Sequence, residues 1–446
     1  MLKRIGENNI TGDGAVIRLG DAAFPVPFKS GLEYASPARG TWNIVHTGML
    51  IPQAHEIFVC AASCLRGVVL TAAEMNAMDR FSTVEVRENN LLEGDLEELL
   101  IEGVSDIILR LPKRPPAVLV YTSCIHHFTG CDWKVMFGAL RERFPEIDFT
   151  DCYMNPALRK SGLTPDQIMR KQLYSLLKPR ELNENAVAII GNDFPTEKDS
   201  DIIKLLNKYG KKLYEITSLK DYEEYLKMAE SSLYISYYPA ARAGGDELEK
   251  RLKGKHLYLS YSWDYDEIRE SLDMLENALK GENEGKTDYS VRIGECEEQY
   301  KQTLNVIGDT PIAIDYTFCP RPTSVAKELL RHGFNVKRIY LDSFTGEEKN
   351  DYVFLKEKYP DIMLYATVNA KCRFMAGKQD EKWLAIGQKA AYFLDTDHFV
   401  NVVEGGGMFG FEAVIDTLKL MEDAFRNKKD MKNLIQIKGL GCGGCL

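Results

Sequence analysis

Two stretches of this chain repeat one supersecondary pattern, and that pattern leaves few folds open. In the first, the apolar run Val-Ala-Ile-Ile at 187–190 leads into the loop Gly-Asn-Asp-Phe-Pro at 191–195. Ile202, Leu205, Leu206 and Tyr209 then recur at i, i+3, i+4 and i+7, one face of a helix that Gly210 stops, and 212–216 returns as a strand. In the second, 312–315 reads as a strand and opens into a loop holding Cys319, Pro320 and Pro322. Thr323 is the expected cap of the helix that follows, Gly333 its end, and 336–341 the return strand. Further strand candidates are 117–121, 233–236, 256–261, 362–366 and 391–394. Strands alternating with helices pair in parallel and need both faces covered. The expected fold is therefore α/β, with three Rossmann-like doubly wound parallel-sheet domains. A length of 446 residues agrees with three domains at about 150 residues each.

The expected boundaries follow from the punctuation between these units. Thr164, Pro165 and Gln167 form a helix start, with Thr164 as cap and Gln167 as its reciprocal partner. Met169, Leu173, Leu176 and Leu177 supply the apolar face. The first domain is placed at 1–182, with 425–446 packing back on it, the second at 183–305 and the third at 306–424. The polar stretch 280–286 reads as a surface loop.

Charge and cysteine content narrow the function. With 56 Lys+Arg against 66 Asp+Glu, the net charge of −10 argues against nucleic acid or an anionic membrane as the main partner. No apolar run approaches the roughly 18 residues of a membrane span. The opening Met-Leu-Lys-Arg-Ile-Gly-Glu lacks the apolar core of a signal peptide. A cytoplasmic location is expected, where thiols stay reduced, so the ten cysteines do not read as a disulfide framework. Six of them form three close pairs, Cys60/Cys64, Cys124/Cys131 and Cys442/Cys445. Ligands of an open α/β sheet gather beyond the carboxyl ends of its strands, and Cys124 stands just after the strand at 117–121. The small residues between Cys60 and Cys64 allow a tight turn. Four thiolates from these two loops can hold one [4Fe–4S] cluster. Zinc stays open, although neither pair has Cys-x2-Cys spacing, as does the reading of buried packing thiols. Cys442 and Cys445, set among glycines, have a metal or redox spacing, and Cys319 and Cys372 are candidates for a second site. His126 and His127 follow Cys124 and can tune a cluster by hydrogen bonding. Arg242, Arg321 and Arg373 are candidates for orienting an anionic substrate. Neither a G-x4-G-K-[ST] phosphate loop nor a G-x-G-x-x-G turn after a strand occurs, so any ATP hydrolysis falls to another protein. No catalytic residue is assigned.

As an ordered set, these motifs resemble the nitrogenase component 1 family. The resemblance is carried by Cys60 and Cys64 in their small-residue loop, by Ser123, Cys124, Gly130, Cys131 and Asp132 after a strand, and by the segments at 36–40, 186–191, 315–322 and 404–412. It implies three domains enclosing a substrate cavity and a cluster held by Cys60, Cys64, Cys124 and Cys131. That cluster is expected to be [4Fe–4S], with a larger P-cluster-like one as the alternative, and a second metallocofactor is left unidentified. It also implies an ATP-hydrolysing iron protein as a separate partner, and a homodimer or a heteromer with a homologous subunit. The departures are specific. Gly40 and Thr41 stand where the family places its first cluster cysteine, Ser236 where the catalytic subunit has its cofactor cysteine, and 408–412 offers no cofactor histidine. The expected activity is that of a nitrogenase-like reductase that does not itself reduce dinitrogen. The alternatives are a non-catalytic scaffold for metallocluster assembly and a zinc- or redox-regulated binding protein.

Overall fold

Apolar residues alternate along the strands of three parallel sheets, and neighbouring sheets share their cores. The computed structural model describes residues 14–34, 36, 38, 44–154, 162–280, 287–377 and 379–436. The first sheet orders Phe81–Glu85, His55–Cys60, Ala117–Ser123 and Asp148–Met154, all parallel. The second orders Lys212–Glu215, Asn183–Ile189, Ser231–Ser236 and Lys255–Tyr258, again all parallel. The third runs Val16–Arg18, Met363–Tyr365, Val336–Tyr340, Ile312–Asp315, Leu384–Ile386 and Phe399–Val400, and only Val16–Arg18 is antiparallel. This is the α/β class that the βαβ pattern predicts. In each sheet the parallel strands first step to one side of the earliest of them and then return to the other. The order therefore reverses between His55–Cys60 and Ala117–Ser123, between Asn183–Ile189 and Ser231–Ser236, and between Ile312–Asp315 and Leu384–Ile386. Loops leaving the carboxyl ends at such a reversal splay apart and open a crevice.

The period-2 alternation assigns each face. Ile57, Val59, Val118 and Val120 fill one side of the first sheet, and Phe58, Cys60, Leu119 and Tyr121 the other. The second set packs with Ala186, Ala188, Ile190 and Tyr234 of the second sheet. Val187, Ile189, Leu233 and Ile235, on the opposite face, join Ile312, Ile314, Ile339 and Leu364 of the third. On the third sheet's remaining face, Ala313, Tyr340, Ala385, Phe393 and Phe399 meet Met431 and Ile435. The described part of 425–446 thus lies against the third sheet and not the first, because its apolar residues fill the strip beside Phe393 and Phe399. Residues 437–446 lie outside the described residues. The strand Val16–Arg18, expected within the first domain, likewise completes the third sheet.

Local signals mostly match. Thr164 caps helix Pro165–Gln172, with the Thr164 N–H donating to Gln167 Oε1 at 2.8 Å and the Gln167 N–H to Thr164 Oγ1 at 3.3 Å. Helix Asp201–Lys208 starts at the Ser200 cap and ends before Gly210, whose φ is +60°. Helix Pro322–Arg331 begins two residues earlier than a Thr323 cap implies, with Arg321 in the cap position. Pro322 takes its first turn, and the Thr323 hydroxyl is spent on Glu348 Oε1 at 2.7 Å. The strand expected at 391–394 is instead the end of helix Gln388–Leu394, since a short buried apolar run reads alike in either state. No helix among the described residues is long and apolar enough to cross a membrane.

Candidate functional site

The first sheet's reversal point gathers thiols. Cys60 is the last residue of its strand, and Val59 lies opposite Thr122 on the parallel neighbour. Cys60 and Cys124 therefore leave the sheet side by side, while Cys64 sits in the first turn of helix Ala62–Glu74. Cys60 is buried, Cys124 half-buried and Cys64 exposed. Burial, with the Cys64 and Cys124 thiols beside it, pushes the Cys60 thiol up to about 12. A thiol so held becomes a thiolate once a bound cation neutralises it, and thiolates are the ligands of zinc and of iron–sulfur clusters. Among the described residues, no group of three or more His, Cys, Asp or Glu is drawn together so as to hold a metal ion. Cys131 follows the left-handed Gly130 turn, has its sulfur 3.4 Å from Thr129 Oγ1, and packs on the face opposite the Cys60 core.

His126 is fully buried on the short helix that Cys124 opens. Its Nδ1 accepts the Ser123 N–H at 3.3 Å, so the ring proton rests on Nε2, which is buried with no partner. Burial lowers its pKa, keeping the ring neutral. His127 is exposed, and beside it Phe128 is 74% exposed.

The remaining candidates are dispersed. Cys319 is buried in the core between the second and third sheets, against the Tyr261 hydroxyl. Cys372 is buried on the third sheet's far face with Tyr340 and Trp383. Arg321 is committed to structure. Its Nε donates to Asp351 at 2.8 Å, Nη2 to Glu267 at 3.1 Å and Nη1 to the Tyr261 carbonyl at 3.3 Å, leaving nothing for an anionic substrate. Arg242 is exposed, 5.0 Å above the Tyr258 ring. Cys442, Cys445 and the Arg373 side chain lie outside the described residues. Ser236 is fully buried, with its hydroxyl 2.8 Å from His256 Nε2, whose Nδ1 is 2.9 Å from Asp246. The order Ser–His–Asp is that of a nucleophilic triad, but no substrate carbonyl can reach a hydroxyl so enclosed, and the relay is structural.

A cavity of about 380 Å³ opens where loops from the carboxyl ends of the second and third sheets meet helix Pro165–Gln172. Among the described residues its walls include Gln167, Tyr238, Tyr316, Asp342, Ser343 and Glu348, with no lysine or arginine among them. A larger surface hollow of about 570 Å³, beside helices Tyr265–Lys280 and Ser290–Ile307, lies away from every strand end.

Behind Tyr238 is a charged knot that the sequence reading missed. Arg170 donates to Asp193 at 2.7 and 3.1 Å, to the Gly191 carbonyl at 2.5 Å and to Asp166 at 3.0 Å, and stacks 4.4 Å from the Tyr238 ring. The Tyr238 hydroxyl is 2.5 Å from Glu404 Oε2. Glu404 opens a run of left-handed residues, with φ of +52° followed by +72°, +56° and +78° at Gly405, Gly406 and Gly407. The one available signal was the acidic residue placed directly before three glycines.

No family model and no curated relative matches the chain. Among solved structures, nitrogenase Cp1 at pH 6.5 superposes with a TM-score of 0.65 at 13% identity, covering 89% of this chain and 94% of that one. Nitrogenase Cp1 at pH 5 superposes with a TM-score of 0.56 at 11% identity, covering 95% and 96%. The chain has the fold of nitrogenase component 1. At such identities the likeness establishes architecture alone.

Proposed function

We propose that this chain is a nitrogenase-like reductase component whose iron–sulfur cluster is held by Cys60, Cys64 and Cys124, and which takes electrons from a separate ATP-hydrolysing iron protein for a substrate or second metallocofactor. The observation that carries the reading is the convergence of the Cys60 and Cys124 strand ends at the first sheet's reversal point, with Cys64 one turn away. A bound cluster would supply one-electron transfer through irons held by these thiolates. The chain's own residues divide the remaining work. Buried Cys60 anchors the site in the core, and exposed Cys64 gives it a solvent side. Neutral His126 presents an unpaired Nε2–H, a donor suited to tuning a sulfur. Phe128 offers an apolar contact for a docking partner beside the site. Ser236 is already bonded to His256, and the reading assigns no dinitrogen reduction to this chain. Cys64→Ala and Cys124→Ala, purified anaerobically and assayed for iron and by EPR, are each expected to lose most of the bound iron. Full iron content in both would refute the assignment.

A further inference from the structure

Two tyrosine rings line the cavity between the second and third sheets, and each has a cation against it. Arg170 lies 4.4 Å from the centre of the Tyr238 ring, and Lys389 Nζ lies 5.6 Å from that of Tyr316. Both are inside the reach of about 6 Å at which a cation is drawn to an aromatic face. Arg170 is buried, and its hydrogen bonds to Asp166, Asp193 and the Gly191 carbonyl all leave from the guanidinium edge. The flat of the guanidinium is therefore left to the ring. The Tyr238 hydroxyl is 2.5 Å from the Glu404 carboxyl. Burial, with the Asp193 charge beside it, pushes that carboxyl up to about 8, so it is mostly uncharged at pH 7 and adds little negative charge at the ring's tip. A cation held over one face draws π-electron density toward itself, and the opposite face then attracts an electron-rich partner.

The rest of the wall suits a small flat molecule. Pro239, Pro320, Pro322 and Leu341 are apolar, and proline has no side-chain rotamers to lose on binding. Gln167 Oε1 accepts the Thr164 N–H, which leaves the Gln167 amide N–H groups to donate, and Ser343 adds a hydroxyl. At about 380 Å³ the cavity stands near the lower end of the range of about 300–1,000 Å³ that organic ligands occupy. We propose that it binds a conjugated organic ligand of one or two rings with an electron-rich π face, packed against Tyr238 and Tyr316. The inference deepens the reductase reading by giving its substrate a chemical class, and it rests on that reading only for the ligand's fate. Binding itself needs no iron.

Equilibrium dialysis of the full chain tests this, with indole and with tetrafluoroindole, fluorinated on its benzene ring, as the probes. The two have nearly the same shape. Fluorination makes the ring more apolar and drains its π face, so burial alone favours tetrafluoroindole while electron-depleted tyrosines favour indole. Indole is expected to bind about 2- to 10-fold more tightly, the range that the geometry of an aromatic pair is worth. In Tyr238→Leu, indole affinity should fall and the preference should shrink toward one. Equal or tighter binding of tetrafluoroindole to the wild type, no binding of either at millimolar concentration, or wild-type indole affinity in Tyr238→Leu would each overturn the proposal. Should Tyr238→Leu fail to fold, the two wild-type titrations still decide. Neither titration reads iron, so this assignment and the cysteine assignment fail separately.

Discussion

Arg170 and Asp193 have side chains about 1% exposed and face each other through two parallel hydrogen bonds, so neither charge has water to fall back on. Such a pair adds little over an apolar core, but removing one member leaves the other buried and unpaired, at a cost of about 3–5 kcal/mol. Arg170→Met is therefore expected to lower unfolding free energy by that amount in a urea titration. Asp166→Asn, at a partner 37% exposed, should cost less than about 1 kcal/mol. A loss below 1 kcal/mol for Arg170→Met would mean the pair is not buried as described. Neither residue was legible in the sequence. Arginine on an amphipathic helix ordinarily marks its solvated face, and Asp193 looked like a turn residue. That Cys60, Cys64 and Cys124 come near one another was legible because thiol spacing is a chemical signal that survives without knowledge of packing. Cys131 shares that spacing, yet the turn at Gly130 sends it to the other face of the sheet, which spacing cannot express.

At the scale of elements, the turn Glu404–Gly407 shows what a few backbone angles can enforce. A Cβ at Gly407 would stand 2.0 Å from the Pro195 carbonyl oxygen, whereas one at Gly405 would meet nothing within 4 Å. Both glycines are left-handed, which alone costs an alanine about 1–2 kcal/mol. Overpacking adds about 1–3 kcal/mol more. Gly407→Ala should accordingly be about 2–5 kcal/mol less stable than the wild type, and Gly405→Ala only about 1–2 kcal/mol. Equal losses in thermal unfolding would rule out the close approach to Pro195. The longer strands and helices were readable because their apolar residues repeat with a period. Leu384–Ile386 and Phe399–Val400 were not, since two or three residues carry no period, and the seven-residue helix between them was mistaken for a strand.

Over the whole molecule, the fold class followed from βαβ alternation, while the sharing of cores between sheets did not, because contacts between units leave no periodic trace. On the domain that carries Cys60 and Cys124, Phe128 is 74% and Leu92 86% exposed. Under the proposed function, reduction of the bound cluster should require both ATP and a separate iron protein, and should slow as salt screens the facing charges. Anaerobic stopped-flow absorbance measures this. Equally fast reduction without ATP, or by a ferredoxin alone, would reject the partner. The pairing of Val16 with Tyr365 sets a timetable for the newborn chain. Synthesised at about 5–20 residues per second, the first strand waits roughly 20–70 seconds for the strand it will join. By then every strand of the first two sheets has been synthesised. The third sheet is therefore the last of the three to close, and until it does Val16–Arg18 has no strand to pair with.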